Sequence, residues 1–172
     1  MVVMDIVSGD YFFDLLEQYK DLPEIRVELE RIIKENNINN TKKKYSLQLY
    51  DLMINWINNN LGDANTRSAG RLFFKKFFIK YFDGRNYDIG ILTEVGDLLE
   101  GIVGESKFRY QMKYREGTLK IKTITAFNPV FQMGFIEEFL KQLSRFYFIR
   151  EEISSCEVEN ELRLNYKVIY NS

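Results

Sequence analysis

The sequence contains no histidine, which is the commonest side chain for proton transfer near neutral pH. Its absence also removes the imidazole partner of a Ser-His or Cys-His nucleophile pair. With Cys156 as its single cysteine, the chain can form neither an internal disulfide nor a structural zinc site built from cysteine and histidine. We therefore expect no catalytic residue, no metal site and no enzyme activity. The low cysteine content is typical of a cytoplasmic protein.

Long apolar runs and an excess of charge of one sign are lacking as well. No segment approaches the roughly 18 consecutive apolar residues of a transmembrane helix. The first residues lack a basic stretch followed by an apolar one, so we expect no signal peptide. The 24 Lys and Arg residues nearly balance the 25 Asp and Glu residues, so the formal net charge is −1. This balance argues against a general DNA-binding protein, because such proteins are usually strongly basic.

Helical patterns dominate the first hundred residues. Five segments place apolar residues three and four positions apart, which is the spacing of one helix face. They begin near Ser8, at Pro23, near Ser46, near Thr66 and near Asp88. The fourth is predicted to run to Phe82, and its phenylalanines should place it near the centre of the domain.

The second half of the chain changes to the alternating pattern of β-strands. Apolar and basic residues alternate from Lys107 to Arg115, and Glu116-Gly117 predicts a hairpin turn before a return strand. A sixth helix follows Asn128-Pro129, and two more strands cover about 148–156 and 162–170. This order of helices, hairpin, helix and hairpin indicates an α+β fold. An N-terminal helical run would pack with a C-terminal antiparallel sheet.

Basic residues of the first hairpin form a candidate interaction surface. Six of them are expected to project from one face of the sheet, namely Lys107, Arg109, Lys113, Arg115, Lys120 and Lys122. Such a face would attract an anionic ligand, a lipid headgroup or an acidic protein partner. The alternative is an ordinary solvated sheet face that lysine and arginine protect from edge-to-edge association.

Two further motifs are candidate sites. The neighbouring carboxylates Glu137 and Glu138 do not face each other on a helix, so they are weak candidates for an acid–base pair. A glycine in an aromatic helix usually permits close backbone packing, and this is the structural interpretation of Gly70. Arg71, the next residue, would then pair with a carboxylate unless it contacts a ligand.

Three groups of short strings, together with the order of elements, resemble one superfamily. They are Leu61-Gly62-Asp63 with Ser68-Ala69-Gly70-Arg71, Glu94-Val95-Gly96-Asp97-Leu98-Leu99, and Met133-Gly134-Phe135-Ile136 with Arg150-Glu151-Glu152-Ile153. The superfamily contains haem-nitric-oxide-binding (H-NOX) domains, four-vinyl-reductase-type sensor domains and TRAPP trafficking subunits. The chain is most similar to its haem-free bacterial members, over roughly residues 46–170. We expect one domain over 1–172, with an N-terminal helical region in 1–45 and an H-NOX/TRAPP-like core in 46–172.

The resemblance implies a pocket between the helices and the sheet, without the residues that hold a haem. In H-NOX domains the histidine of Glu-Val-His binds the haem iron, and Gly96 stands at that position here. The Tyr-x-Ser-x-Arg string that holds the haem propionates is missing around Thr125–Pro129. We therefore expect no cofactor. A small apolar or anionic ligand of this pocket would contact Arg71, Phe74, Phe78, Gly96 and Phe135.

Three functions remain open on these grounds. The leading hypothesis is a non-enzymatic regulatory or signalling domain that lacks the haem-ligating histidine and binds a small ligand or a protein partner. The second is a TRAPP-like assembly or scaffold protein that forms a homodimer, with a core packed solid by Phe73, Phe77, Phe135 and Phe139. The third is a haem or tetrapyrrole sensor that uses Tyr or Met as an unusual axial ligand.

Overall fold

The first half of the chain folds into four helices in the computed structural model, which describes residues 6–82, 87, 90–91, 97, 110–123, 128–143, 145–156 and 161–170. The helices are α1 (Gly9–Gln18), α2 (Pro23–Glu35), α3 (Leu47–Leu61) and α4 (Asp63–Phe77). Pro23 occupies the first turn of α2, where its missing N–H costs nothing. The Ser46 hydroxyl caps α3 by accepting a hydrogen bond from the backbone N–H of Gln48 at 3.2 Å. Both predicted helix starts are confirmed.

The bounds of α4 correct the prediction of a helix from Thr66 to Phe82. Gly62 has φ 84°, a left-handed value that favours glycine, and it ends α3. The chain therefore turns within one residue, and α4 begins at once, at Asp63. The helix ends at Phe77, and a 3₁₀ turn covers Ile79–Tyr81. The predicted helix from Asp88 to Val103 lies, apart from residues 90–91 and 97, outside the described residues.

A short two-stranded sheet, absent from the sequence-based prediction, ties the start of the chain to the start of α3. It pairs β1 (Ile6–Ser8) with β2 (Lys44–Ser46) in antiparallel orientation. Ser8 precedes α1 as predicted, but its hydroxyl makes no cap and instead donates to the carbonyl oxygen of Thr41 at 3.2 Å. The segment between α2 and β2 is packed against the domain, because Ile38 is buried.

Among the described residues, the main sheet has four antiparallel strands in the order β3-β4-β6-β5. These are β3 (Tyr110–Arg115), β4 (Thr118–Thr123), β5 (Phe146–Cys156) and β6 (Glu161–Tyr170). Glu116 and Gly117 both have positive φ, 51° and 77°, which is the geometry of a tight two-residue hairpin turn. Helix α5 (Pro129–Lys141) connects the two hairpins. The predicted α+β fold, with hairpin, helix and hairpin, is confirmed.

A buried carboxylate joins α3 to the start of α5. Asn128 caps α5, because its side-chain oxygen accepts from the N–H groups of Val130 and Phe131. The N–H of Asn128 in turn donates to Asp51 at 2.8 Å, and the Asn55 side chain donates to the same carboxylate at 3.1 Å. Burial raises the pKa of Asp51 to about 6, and the two hydrogen bonds oppose this rise only in part.

Helix α5 packs between α4 and the inner face of the main sheet. The sheet contributes the buried side chains of Leu119, Ile121, Leu162, Leu164 and Tyr166. Within the described part of the chain, no helix has the length and apolar character needed to cross a membrane.

Candidate functional site

Three of the predicted ligand-contacting residues meet in the core. Phe74, Phe78 and Phe135 are all buried. The ring centroid of Phe135 lies 5.2 Å from that of Phe74 and 5.5 Å from that of Phe78, in perpendicular contacts. Arg71 does not join this cluster but binds a carboxylate, and Gly96 lies outside the described residues. A ligand contact by these residues stays a prediction.

Helices α4 and α5 cross with their backbones in contact. A Cβ atom added at Gly70 would overlap the carbonyl oxygen of Phe131, and one added at Gly134 would overlap the carbonyl oxygen of Arg67. Each glycine therefore allows the facing helix to approach as closely as backbone atoms permit. This crossing confirms the packing interpretation of Gly70.

The space between α4 and α5 is filled by backbone and aromatic rings. The chain has no histidine, although tyrosine, methionine and cysteine can also hold a haem iron. Between α4 and α5 the helices touch at their glycines, and the ring of Phe74 fills the adjoining space against Phe135 and Phe139. Among the described residues, no group of three His, Cys, Asp or Glu side chains could hold a metal ion.

One carboxylate, Glu137 of α5, is shared by three arginines. It accepts hydrogen bonds from Arg71 Nε at 3.2 Å and Arg71 Nη2 at 2.5 Å. Arg150 Nη1 of β5 donates to its other oxygen at 3.3 Å, and Arg67 Nε lies 4.0 Å away. The Glu137 side chain is only 18% exposed. This cluster links α4, α5 and β5 through partly buried, charge-assisted contacts.

The adjacent Glu138 binds different partners. Its side chain is 6% exposed, and its oxygens lie 3.7 Å from Lys75 Nζ and 3.2 Å from Lys141 Nζ. The two glutamates therefore do not form an acid–base pair. This agrees with the expectation that neighbouring residues on a helix do not face each other. A signal for both clusters was present in the sequence: Arg67, Arg71 and Lys75 recur every fourth residue, which places them on one face of α4.

An open cavity of about 650 Å³, the α5–β5 groove, lies beside the Glu137 cluster. Its polar lining consists of Glu137, Lys141, Arg150 and Tyr166. The apolar lining comes from Leu140, Phe146, Tyr147 and Phe148. Sequence patterns did not single out this groove, because its walls come from a helix and two strands that meet only in the folded chain.

The predicted interaction surface lies on the outer face of the main sheet. Lys113, Arg115 and Lys120 are exposed, and Lys122 is half-buried. Lys113 and Lys120 are direct cross-strand partners, so two like charges face each other. Lys107 and Arg109 lie outside the described residues. Strand β6 adds Arg163 and Lys167 opposite Lys122 and Thr118.

Comparison with known proteins places the fold. A scan against protein-family models and a search of curated proteins gave no match. Among solved structures, an Fe(II) unliganded H-NOX protein from K. algicida superposes with a TM-score of 0.67 at 13% identity, over 96% of this chain and 98% of that one. A mutant of T. tengcongensis H-NOX gives 0.64 at 15% identity, over 94% and 97%. An oxygen-binding H-NOX domain related to soluble guanylate cyclases gives 0.60 at 14% identity, over 96% of each chain. The predicted resemblance is confirmed at the level of architecture: the chain has an H-NOX-like fold.

Proposed function

We propose that this chain is a non-enzymatic regulatory domain that binds a small ligand or a protein partner without using haem. The observation that carries the proposal is an H-NOX-like fold built from a sequence without histidine. In H-NOX domains a histidine holds the haem iron, and the sequence resemblance matches that position to Gly96. The chain thus retains the architecture of a sensor domain while lacking the side chain on which haem sensing depends.

The packing of α4 against α5 supports this proposal. The rings of Phe74, Phe78 and Phe135 contact one another, and the glycine crossing holds the two backbones together. This part of the described core is therefore closed to a ligand. The α5–β5 groove and the outer face of the sheet are open to a ligand or partner.

Hemin titration tests the haem-free proposal. Addition of one equivalent of hemin to the purified protein should leave the spectrum of free hemin, and the native mass should show no haem adduct. The variant Gly96→His differs only at the position in question and is the matched control. A sharp, stoichiometric Soret band from the unmodified protein would refute the proposal, whereas a band from the variant alone would assign the loss of haem to this position.

The outer face of the sheet supports a protein partner as the alternative to a small ligand. The exposed Lys113 and Lys120 face each other across β3 and β4, an arrangement that costs stability in the isolated domain. An acidic surface on a partner would relieve this repulsion and increase the rate of association. We therefore propose Lys113, Arg115, Lys120 and Lys122, with Lys107 and Arg109, as the partner-binding face.

A TRAPP-like assembly protein is the second candidate function. The observation in its favour is the solid aromatic core, in which Phe73, Phe135 and Phe139 are fully buried and Phe77 is partly buried. Apolar side chains that remain exposed on the helices, such as Val27 and Leu52, would supply a dimer contact. Light scattering across micromolar concentrations tests this candidate. A molar mass of one chain throughout would exclude it.

A further inference from the structure

The charges around Glu137 are unequal, and the excess is positive. Arg67, Arg71 and Arg150 surround this one carboxylate, while the neighbouring Glu138 already has two lysines as partners. Among the described residues, three guanidinium groups against one carboxylate leave two positive charges. Arg150 and Lys141 line the α5–β5 groove beside Glu137, so an anion would be attracted there and a cation repelled.

Arg150 lines the groove and has donors to spare. Both of its contacts use Nη1, which lies 3.3 Å from Glu137 Oε1 and 3.2 Å from Met133 Sδ. Its Nε and Nη2 bond to none of the described residues. A guanidinium with neighbouring free donors matches the two oxygens of a carboxylate.

Tyr166 provides a second donor. The residue is 3% exposed and lines the groove, yet its hydroxyl has no hydrogen-bond partner among the described residues. A buried hydroxyl in that state is uncommon, because losing water without gaining a partner is costly. Burial, and then the nearby Glu137 carboxylate, raise the pKa of Tyr166 to about 12. The hydroxyl therefore keeps its proton at neutral pH and can donate a hydrogen bond.

The remaining walls of the groove are apolar. Phe146 is 5% exposed, and Phe148 packs perpendicular to the ring of Tyr166 with 6.3 Å between ring centroids. Together with Leu140 they form a surface suited to an aromatic or aliphatic body. The volume of about 650 Å³ falls within the roughly 300–1,000 Å³ typical of small-molecule sites.

We propose that the α5–β5 groove binds a small organic carboxylate that has an aromatic or other apolar body. The carboxylate pairs with Arg150 and accepts a hydrogen bond from the hydroxyl of Tyr166, while the body packs on Phe146 and Phe148. Glu137 stays bound to Arg71 and does not contact the anion. This inference rests on the proposed function, since it names the ligand class of the regulatory domain.

Three probes of the same shape test the charge preference. Benzoate, neutral benzamide and cationic benzamidine are titrated separately into ¹⁵N-labelled protein, and backbone amide shifts are recorded. Benzoate should bind with a Kd of about 1 mM, and the largest shifts should lie near Lys141, Phe146–Arg150 and Tyr166. Benzamide should bind about tenfold more weakly, because the charge-assisted contact is lost. Benzamidine should bind least.

Two variants test whether Tyr166 and Arg150 donate hydrogen bonds to the carboxylate. Tyr166→Phe removes one hydroxyl and keeps the ring packing, so the fold should survive, and benzoate affinity should fall about threefold to tenfold. Arg150→Gln should reduce affinity about tenfold or more. Lys34→Gln, which removes a positive charge from an exposed position of α2, is the control and should leave the affinity unchanged.

The outcomes separate this inference from the proposed function. Equal binding of the three probes, shifts located away from the groove, no saturable shift with benzoate, or an unchanged affinity in Tyr166→Phe would each overturn the carboxylate site. None of these results bears on hemin. Conversely, a Soret band from the unmodified protein would refute the haem-free proposal and leave the benzoate result standing.

Discussion

The close crossing of α4 and α5 at their glycines predicts that Gly70→Ala lowers the stability of the protein. Helix propensity predicts the opposite. Gly70 lies in the middle of α4, where helix propensity alone predicts that alanine would stabilise the protein by about 1 kcal/mol. The structure predicts the reverse, because the new methyl group would overlap the carbonyl oxygen of Phe131. That oxygen belongs to the backbone of α5 and cannot turn aside as a flexible side chain would.

The size of this loss of stability depends on how the two helices relieve the overlap. Relieving the overlap requires α4 and α5 to separate, which loosens the contacts of Phe74 and Phe135. Overpacking usually costs about 1–3 kcal/mol, and a backbone clash belongs at or above the upper end of that range. After the gain in helix propensity is subtracted, Gly70→Ala should lower the free energy of unfolding by about 2 kcal/mol or more. Gly134→Ala should behave alike.

Urea denaturation measures this loss. Unfolding is monitored by the fluorescence of the single tryptophan, Trp56, and by far-UV circular dichroism. Ser68→Ala, at an exposed position of the same helix, is the matched control and should change stability by less than about 0.5 kcal/mol. The double variant Gly70→Ala with Gly134→Ala should lose less than the sum, since one separation relieves both overlaps. A Gly70→Ala protein as stable as the parent would refute the crossing.

Two further predictions concern charge. Because the pKa of folded Asp51, about 6, exceeds its usual 3.8, the buried acid stabilises the fold below about pH 4, and this contribution disappears as the pH rises through 6. The stability of the parent minus that of Asp51→Asn should therefore fall by on the order of 3 kcal/mol between about pH 4 and pH 8. A difference in denaturation midpoints that stays flat with pH would contradict this. Lys120→Glu should stabilise the domain by about 0.2–1 kcal/mol, because the repulsion from Lys113 becomes attraction. Lys167→Glu, whose partners Thr118 and Ile149 are uncharged, should show no such gain.

The features that the sequence determined by itself are local. Pro23 and Ser46 set the starts of α2 and α3 through interactions within one helical turn. Glu116-Gly117 sets the hairpin because two adjacent residues with positive φ are needed there. The alternation in β6 predicted the burial of Leu162, Leu164 and Tyr166, although Tyr170 at the end of the strand is exposed. The absence of histidine is likewise read directly from the sequence.

The features that only the tertiary structure decided are long-range. Arg71 and Glu137 lie 66 residues apart and meet because two glycines let α4 and α5 touch. The α5–β5 groove exists because Arg150 and Tyr166, on paired strands, face the end of a helix. Charges and rings in these places resemble ordinary surface and core residues in the sequence. What they can bind depends on distances between elements, and folding sets those distances through backbone packing that no local pattern encodes.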